Sequence, residues 1–337
     1  KPQVRQMLIS SAIMWAKQYH IDGFRIDETA SMLYLDYGRS PGEWTPNMYG
    51  ENINLDAIDF IHTLRTVLDK KCPGTLLIAE ESSAWPKVTG SIKNECLGFD
   101  FKWNYGWKNN FISFMEKDPL FRKGEYGRLT YSMLYNYSES YMLMLSHEEY
   151  NDISGSIIDK MPGVKKEDKL ANVRLAYGFM YMHPGKKLLF MGQEFAQLRE
   201  WSEERELDWF LLSEEPHQQI QNWYKDLLHL YKKNKALYEL DNDPKGFDWI
   251  NKDDIFRSIF SFTRHSKDGK KNLLFVCNFT PVDRPDYRVG VPRRKQFKLV
   301  LNSDETKYGG SGEERPLVYK PEKQECDGQK YSFAYPL

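Results

Sequence analysis

The sequence predicts an α/β protein built from βα units, followed by a small antiparallel all-β domain. In the first part, short apolar runs alternate with segments whose apolar residues recur at helical spacing, which is typical of a parallel sheet covered by helices. Beyond about Asp241, the apolar runs are separated by Gly, Pro, Asp and Asn without helical segments between them. The predicted domains are therefore residues 1–240 and 241–337.

The elements of the first domain follow a regular order along the chain. The predicted helices cover residues 2–19, 55–68, 168–182 and 216–233. The predicted strands end at Asp27, Glu80, Lys102, Ser146 and Phe190. Asn54 is a typical N-cap for the second helix, because its side chain can accept a hydrogen bond from the first turn. Pro73-Gly74 and Pro184-Gly185 mark turns that lead into strands.

The second domain is predicted to consist of antiparallel strands. The clearest apolar runs are residues 255–262, 272–278 and 296–300. Short strands separated by turn residues and without intervening helices favour an antiparallel sheet.

Two carboxylates stand at the ends of predicted strands. Asp27 ends the run 21–27, and Glu80 ends the run 75–80. Acids at the carboxyl ends of parallel strands lie where α/β barrels have their active sites. Either acid alone is equally explained by a helix cap or an ion pair. The pair indicates glycosidic-bond chemistry, in which one carboxylate is the nucleophile and the other the proton donor, and Arg25 shares a strand face with Asp27.

Composition excludes several classes of partner. The chain has 47 Lys and Arg against 48 Asp and Glu, so no basic field favours nucleic acid or an anionic membrane surface. No apolar run approaches the roughly 18 residues of a membrane span, and no signal-like segment is present at the amino terminus. We expect a cytoplasmic protein. Aromatic residues make up 15% of the chain, which fits either a well-packed core or sugar binding.

The four cysteines indicate neither a disulfide framework nor a zinc site. They are Cys72, Cys96, Cys277 and Cys326. No CxxC pair occurs and no histidine lies close to them in sequence. The cysteines therefore indicate no zinc site, and the glycosidic-bond chemistry of the two carboxylates requires no metal and no organic cofactor.

Seven segments carry a resemblance to a known family. They are residues 22–34, 44–47, 78–82, 98–107, 117–119, 183–195 and 199–209. Together they resemble the 1,4-α-glucan branching enzymes of glycogen and starch, which belong to the α-amylase superfamily of (β/α)8 barrels. The runs 183–195 and 205–209 are similar to branching enzymes and close relatives more than to amylases at large.

The resemblance implies a particular part of that fold. The chain is expected to contain about strands 4 to 8 of a (β/α)8 TIM-type barrel, followed by a small antiparallel β-sandwich domain that stops before its last strand. It is thus expected to be an internal fragment of a longer protein, and activity of the 337-residue stretch alone is not expected.

The resemblance also assigns residues to roles. Asp27 matches the catalytic nucleophile and Glu80 the general acid/base. Arg25 matches the substrate-binding arginine beside the nucleophile. His147 and Glu148 fall on the His-Asp pair that binds hydroxyl groups of the sugar ring, His147 as a substrate-binding residue and Glu148 as a catalytic one.

These assignments imply a retaining transfer between α-1,4-glucan chains such as glycogen, amylose or starch. Asp27 attacks the anomeric carbon while Glu80 protonates the departing oxygen, and Glu80 then deprotonates a 6-hydroxyl that takes the chain from Asp27. The carboxyl groups of a retaining pair are expected about 5–5.5 Å apart. The aromatic segment 103–107 is either a glucan-contacting wall or a packed strand-to-helix corner.

One residue departs from the family pattern. Glu148 stands where the family has aspartate, and residues 150–154 also differ from it. The extra methylene moves the carboxylate by more than the roughly 0.5 Å tolerance of a catalytic group. Three alternatives stay open: a branching enzyme that tolerates Glu148, an α-glucan hydrolase of the same superfamily, and a catalytically impaired glucan-binding paralogue.

Overall fold

The structure, a computed structural model, describes residues 1–147 and 155–337. These residues form two compact units. Unit 1 contains residues 1–105 and 135–142, and unit 2 contains residues 106–134 and 143–337. The predicted catalytic residue Glu148 lies outside the described residues. The boundary between residues 240 and 241 stays a prediction.

Helices and strands alternate along the first part of the chain, as predicted. The helices are α1 (Pro2–Gln18), α2 (Thr29–Leu33), α3 (Leu55–Lys71), α4 (Tyr105–Met115), α5 (Gly127–Tyr131), α6 (Ile157–Lys160), α7 (Lys166–Met182) and α8 (Glu215–Lys233). The first strands are β1 (Gly23–Ile26), β2 (Leu76–Ala79), β3 (Phe101–Trp103), β4 (Tyr141–Leu145) and β5 (Lys186–Leu189). They follow one another in a five-stranded sheet in chain order, and the pairs β1–β2, β2–β3 and β3–β4 are parallel.

Unit 1 is organised by α3 and the strand that follows it. The side chain of Asn54 accepts a hydrogen bond from the backbone N–H of Ala57 at 3.2 Å, which confirms the predicted N-cap. Ile61, Leu64 and Leu68 are buried along one side of α3 and share a core with Leu77 of β2. Burial of this side fixes the helix against the sheet.

The start of β1 requires a glycine. A Cβ atom at Gly23 would lie 2.8 Å from the Cβ of Leu76 and 2.9 Å from its carbonyl oxygen. The two strands can therefore approach closely only with glycine at this position. Their register pairs Arg25 with Ile78 and Ile26 with Ala79, so the residues after the strands, Asp27 and Glu80, follow paired positions.

Unit 2 has an aromatic core tied together by a buried arginine. Phe179 of α7 packs against Phe262 and Phe279, with ring centroids 6.1 and 5.6 Å apart. Arg264 is fully buried; its guanidinium contacts Asp241 at 2.7 Å and donates to the carbonyl oxygen of Met182 at 2.8 Å. A buried charge is stable only when it is paired in this way.

The last part of the chain is antiparallel, as predicted. Its strands are β6 (Phe247–Asp254), β7 (Ile259–His265), β8 (Asn272–Asn278), β9 (Arg288–Val291), β10 (Phe297–Lys298), β11 (Val318–Tyr319) and β12 (Tyr331–Ala334). They pair as β6–β7–β8, β9–β12 and β10–β11, all antiparallel.

The predicted strand over residues 255–262 is confirmed only over residues 259–262, which belong to β7. Residues 255–258 form the turn between β6 and β7. Ser258 has a φ of 51°, a left-handed conformation that is uncommon outside turns for a residue other than glycine. Phe256 is 84% exposed in this turn, so its apolar side chain gave a misleading strand signal.

Residues 1–147 and 155–337 contain neither a membrane-spanning helix nor a metal-binding cluster of side chains. Among the helices of these ranges, none is long and apolar enough to cross a membrane. The same ranges hold no cluster of three or more His, Cys, Asp or Glu side chains arranged to bind a metal ion.

A buried histidine makes the stability of unit 2 depend on pH. The ring of His183 lies within hydrogen-bond distance of the Ser132 hydroxyl, Nε2 to Oγ 3.0 Å, and of the Pro184 carbonyl, Nδ1 to O 2.8 Å. Because the carbonyl only accepts, Nδ1 carries the proton and Nε2 accepts from Ser132. Burial lowers the pKa of His183 to about 3.

Because of this histidine, we expect the free energy of unfolding to decrease as the pH is lowered. Below its ordinary pKa of about 6.5 the unfolded chain binds a proton that the folded chain does not, until the pH reaches about 3. The expected slope is about 1.4 kcal/mol per pH unit in that window. Urea unfolding at several pH values measures it. His183→Gln should remove this slope, whereas His229→Gln, at an exposed histidine, should keep it.

Candidate active site

The two strand-end carboxylates are held by backbone hydrogen bonds between β1 and β2. The N–H of Glu80 donates to the carbonyl oxygen of Ile26 at 3.1 Å, and the N–H of Thr29 donates to the carbonyl oxygen of Glu80 at 2.9 Å. The Thr29 hydroxyl also donates to the Ile26 carbonyl at 3.0 Å. These bonds fix the backbone on both sides of Asp27 relative to the backbone of Glu80.

The chain turns sharply after Asp27. Glu28 has a φ of 41° and precedes the short helix α2. A left-handed glutamate is uncommon, and such strained positions concentrate at functional sites. The turn leaves the side chain of Asp27 74% exposed.

Arg25 bridges the two carboxylates. Its guanidinium lies 3.0 Å from Oδ1 of Asp27 and 2.6 Å from Oε2 of Glu80. The Glu80 side chain is only 11% exposed, in contrast to that of Asp27. A shared arginine stabilises the ionised form of each carboxylate, whereas each carboxylate disfavours ionisation of the other. The structure thus brings together Arg25, Asp27 and Glu80, as predicted; their catalytic roles stay predictions.

Two aromatic residues at and just beyond the end of β3, Trp103 and Tyr105, contact this cluster. The hydroxyl of Tyr105 donates to Oε1 of Glu80 at 2.7 Å. The guanidinium carbon of Arg25 lies 4.7 Å from the ring centroid of Trp103, within the range of a cation–π interaction. Neither contact was predicted from the sequence. Tyr105 could have been predicted from its position, because it lies just after β3, which pairs with β2.

The aromatic segment 103–107 is buried. Trp103, Tyr105 and Trp107 are 3%, 9% and 2% exposed. Side chains this far from solvent favour the packed strand-to-helix corner over the glucan-contacting wall.

A buried ion pair supports the loop that follows Glu80. Nζ of Lys102 lies 2.5 Å from Oε2 of Glu81, whose side chain is completely buried. The other oxygen of Glu81 accepts from the backbone N–H of Ser83 at 2.7 Å and from the Ser83 hydroxyl. Lys102 also donates to the Ser83 carbonyl at 3.3 Å. Both carboxylate oxygens of Glu81 thereby have partners, which holds the chain just beyond Glu80.

Lys102→Met should destabilise the protein by about 3–5 kcal/mol, because it leaves the buried charge of Glu81 without its partner. Urea unfolding followed by tryptophan fluorescence measures the change. The matched control is Lys87→Met, which removes an exposed pair with Glu95 and should cost less than about 1 kcal/mol. Equal effects of the two substitutions would show that the buried pair has no special role.

His147 lies in unit 2, just after β4. Its Nδ1 is 3.1 Å from the Ser146 hydroxyl. The ring centroid lies 4.4 Å from that of Phe190 and 5.3 Å from that of Trp201. His147, Ser146 and Trp201 border a small cavity of about 30 Å³ that Gln193 and Ser156 also line.

A second cavity of unit 2 is larger and has a different lining. It has a volume of about 2120 Å³ and is bordered by β8 and by residues that include Phe297, Leu299 and Tyr335. Neither His147 nor Phe190 lines it. Neither Asp27 nor Glu80 lines this cavity. The candidate active site is therefore the arginine-bridged carboxylate pair of unit 1.

The comparison with solved structures agrees with the fold. An alpha-amylase from H. orenii is 16% identical with a TM-score of 0.60, over 100% of this chain and 64% of that chain. A structure titled cyclomaltodextrinase is 18% identical with a TM-score of 0.60, over 100% of this chain and 47% of that chain. The family model "Alpha amylase, C-terminal all-beta domain" matches residues 249–336. Together they define an α-amylase-class fold, in agreement with the expectation of part of a (β/α)8 barrel followed by a β domain.

Curated sequences are much closer. The 1,4-alpha-glucan branching enzyme GlgB of Butyrivibrio fibrisolvens is 50% identical over 337 residues, covering 100% of this chain and 53% of the relative. The 1,4-alpha-glucan branching enzyme GlgB of Aquifex aeolicus is 46% identical with the same coverage. Along its whole length the chain is similar to these 1,4-alpha-glucan branching enzymes, and it spans about half the length of the curated relatives it matches.

Proposed function

We propose that the protein containing this chain is a 1,4-α-glucan branching enzyme, which cuts α-1,4 bonds and rejoins the released chain as an α-1,6 branch. The observation that carries the proposal is the arginine-bridged pair of Asp27 and Glu80 in a chain 50% identical to a branching enzyme. The proposed substrate is an α-1,4-glucan such as glycogen or amylose, and the proposed pathway is glycogen synthesis. A cytoplasmic location is part of the same proposal.

In the first step, Asp27 attacks the anomeric carbon and the α-1,4 bond breaks. Its exposed carboxylate stays ionised beside Arg25, as a nucleophile must. Glu80 gives its proton to the departing oxygen, and its low exposure favours the protonated form. The ion pair with Arg25 opposes that protonation. Arrival of the sugar between the carboxylates must therefore weaken the contact of Arg25 with Glu80.

In the second step, Glu80 acts as the base. It removes the proton of a 6-hydroxyl on an acceptor chain, the hydroxyl oxygen attacks the anomeric carbon, and the ester bond to Asp27 breaks. Two inversions at the anomeric carbon give net retention of the α configuration. His147 and Glu148 are proposed to bind ring hydroxyl groups during both steps.

Proton NMR of amylose incubated with the protein expressed from its complete gene tests the proposal. Anomeric signals of α-1,4 and α-1,6 bonds and of reducing ends are followed together, beside the same protein with Glu148→Asp. Growth of the α-1,6 signal without a matching growth of reducing ends is the expected result. Release of reducing ends without new α-1,6 bonds would replace the proposal with a hydrolase.

The Glu148→Asp protein tests the remaining alternative, a catalytically impaired glucan-binding paralogue. If the natural protein is inactive and this variant forms α-1,6 bonds, the site is intact and Glu148 alone disarms it. If both are inactive while amylose still binds, the protein is a glucan-binding paralogue and the proposed activity is wrong.

A further inference from the structure

The carboxyl group of Glu80 is held from two sides by two different donors. Arg25, on β1, contacts Oε2 at 2.6 Å, and Tyr105, the first residue of α4, donates to Oε1 at 2.7 Å. In the sheet, β2 lies between β1 and β3, and Tyr105 follows β3 after one intervening residue. One donor therefore lies on β1 and the other lies just beyond β3, the two strands that flank β2.

We propose that Tyr105 is a positioning residue for Glu80, whose hydroxyl fixes the plane of the carboxyl group together with Arg25. The inference rests on the proposed function of Glu80 as general acid/base. A planar carboxylate with one donor on each oxygen cannot rotate about its terminal torsion without losing a hydrogen bond. A proton donor must point one oxygen at the leaving group, so this torsion controls the reaction.

Tyr105 is itself firmly placed. It is 9% exposed, and its ring centroid lies 6.2 Å from that of Trp103. The Trp103 ring in turn faces the guanidinium of Arg25 at 4.7 Å. The segment 103–105 thus places both donors to Glu80: it contains Tyr105, and the ring of Trp103 contacts Arg25.

The hydroxyl also affects the affinity of Glu80 for a proton. A phenol that donates to a carboxylate stabilises the ionised form, as Arg25 does. Among the residues that the structure describes, Asp27 shares Arg25 with Glu80, and the next residue, Glu81, pairs with Lys102. Removing the Tyr105 hydroxyl leaves these charged groups in place, so Glu80 should bind its proton more tightly.

Tyr105→Phe in the protein expressed from its complete gene tests the inference. Activity that needs protonated Glu80 is lost as pH rises, so tighter proton binding moves the alkaline limb of kcat/KM upward. We expect a shift of about one pH unit, a tenfold change in proton affinity. We also expect kcat at the optimum to fall about tenfold with KM changed less than about twofold, since a positioning defect acts on the chemical step.

The matched control is Tyr126→Phe. Tyr126 is also 9% exposed and stacks on Phe260 in unit 2, so its variant reports the general effect of removing a buried tyrosine hydroxyl. An alkaline limb that moves in Tyr105→Phe and stays in Tyr126→Phe supports the inference. The inference is overturned if the alkaline limb of kcat/KM is unchanged in Tyr105→Phe, or if it moves equally in both variants.

A second measurement separates this inference from the proposed function. Protein labelled with ¹³C at the glutamate carboxyl carbon shows a Glu80 signal, identified by its absence from Glu80→Gln. Its titration midpoint should rise by about one pH unit in Tyr105→Phe. If the natural protein turns over no glucan, the proposed function fails, and this titration still decides whether Tyr105 controls Glu80.

Discussion

Asp27→Asn in the protein expressed from its complete gene is expected to lower amylose turnover by at least about 10³-fold. Asparagine has nearly the same size as aspartate, but its amide cannot form the ester on which the first step depends. The fold should survive, because the ion pair of Asp27 with Arg25 is largely exposed on the aspartate side and such pairs contribute less than about 1 kcal/mol. Initial rates and thermal midpoints measured on the same preparation separate the two effects.

The neighbouring carboxylate provides a control for Asp27→Asn. Glu28 lies one residue further along the chain and accepts a hydrogen bond from the Tyr37 hydroxyl at 3.0 Å, which a glutamine can also accept. Glu28→Gln should therefore keep most of the activity. Retention of a tenth or more of the natural rate by Asp27→Asn would rule out Asp27 as the nucleophile.

Glu80→Gln is expected to lower amylose turnover by about 10²–10⁴-fold, the usual contribution of general acid–base catalysis. The substitution removes the proton for the departing oxygen in the first step and the base for the acceptor hydroxyl in the second. It also leaves Arg25 and Tyr105 without the charged partner that they contact at 2.6 and 2.7 Å, so folding is checked by circular dichroism.

The substrate α-maltosyl fluoride distinguishes the two carboxylates. Fluoride departs as an anion without needing a proton, and azide accepts the sugar without needing a base. With this donor and azide, Glu80→Gln should recover most of its lost rate of fluoride release. Asp27→Asn should give no azide product of retained configuration, because that product requires the ester on Asp27. The opposite pattern would exchange the two assigned roles.

Local sequence signals predicted much of the sheet. The glycine, proline and N-cap positions around α3 and β2 place those elements within a few residues, because each acts on its own stretch of backbone. Residues 255–258 show where this fails. Ile255 and Phe256 read as strand residues, whereas the chain turns there and leaves them exposed. Position in a hairpin depends on pairing between strands, which an apolar pattern does not encode.

Part of the candidate site could likewise be predicted from local sequence signals. Asp27 and Glu80 could be found because each ends an apolar run, and Arg25 because it shares a strand face with Asp27. That Arg25 contacts both carboxylates depends on the register of β1 and β2. The contact of Tyr105 with Glu80 was not predicted, because it depends on β3 lying next to β2 in the sheet. These are long-range relations that a single segment does not carry.

Trapping of the covalent intermediate tests the central assignment most directly. A maltosyl fluoride carrying a second fluorine at carbon 5 of the reacting sugar slows the second step, so the sugar accumulates on the nucleophile. The protein expressed from its complete gene is treated, digested and analysed by mass spectrometry. The expected result is one sugar ester on Asp27, absent from Asp27→Asn. A label on Glu80 or another residue, or turnover to a product of inverted configuration without any label, would contradict the assignment.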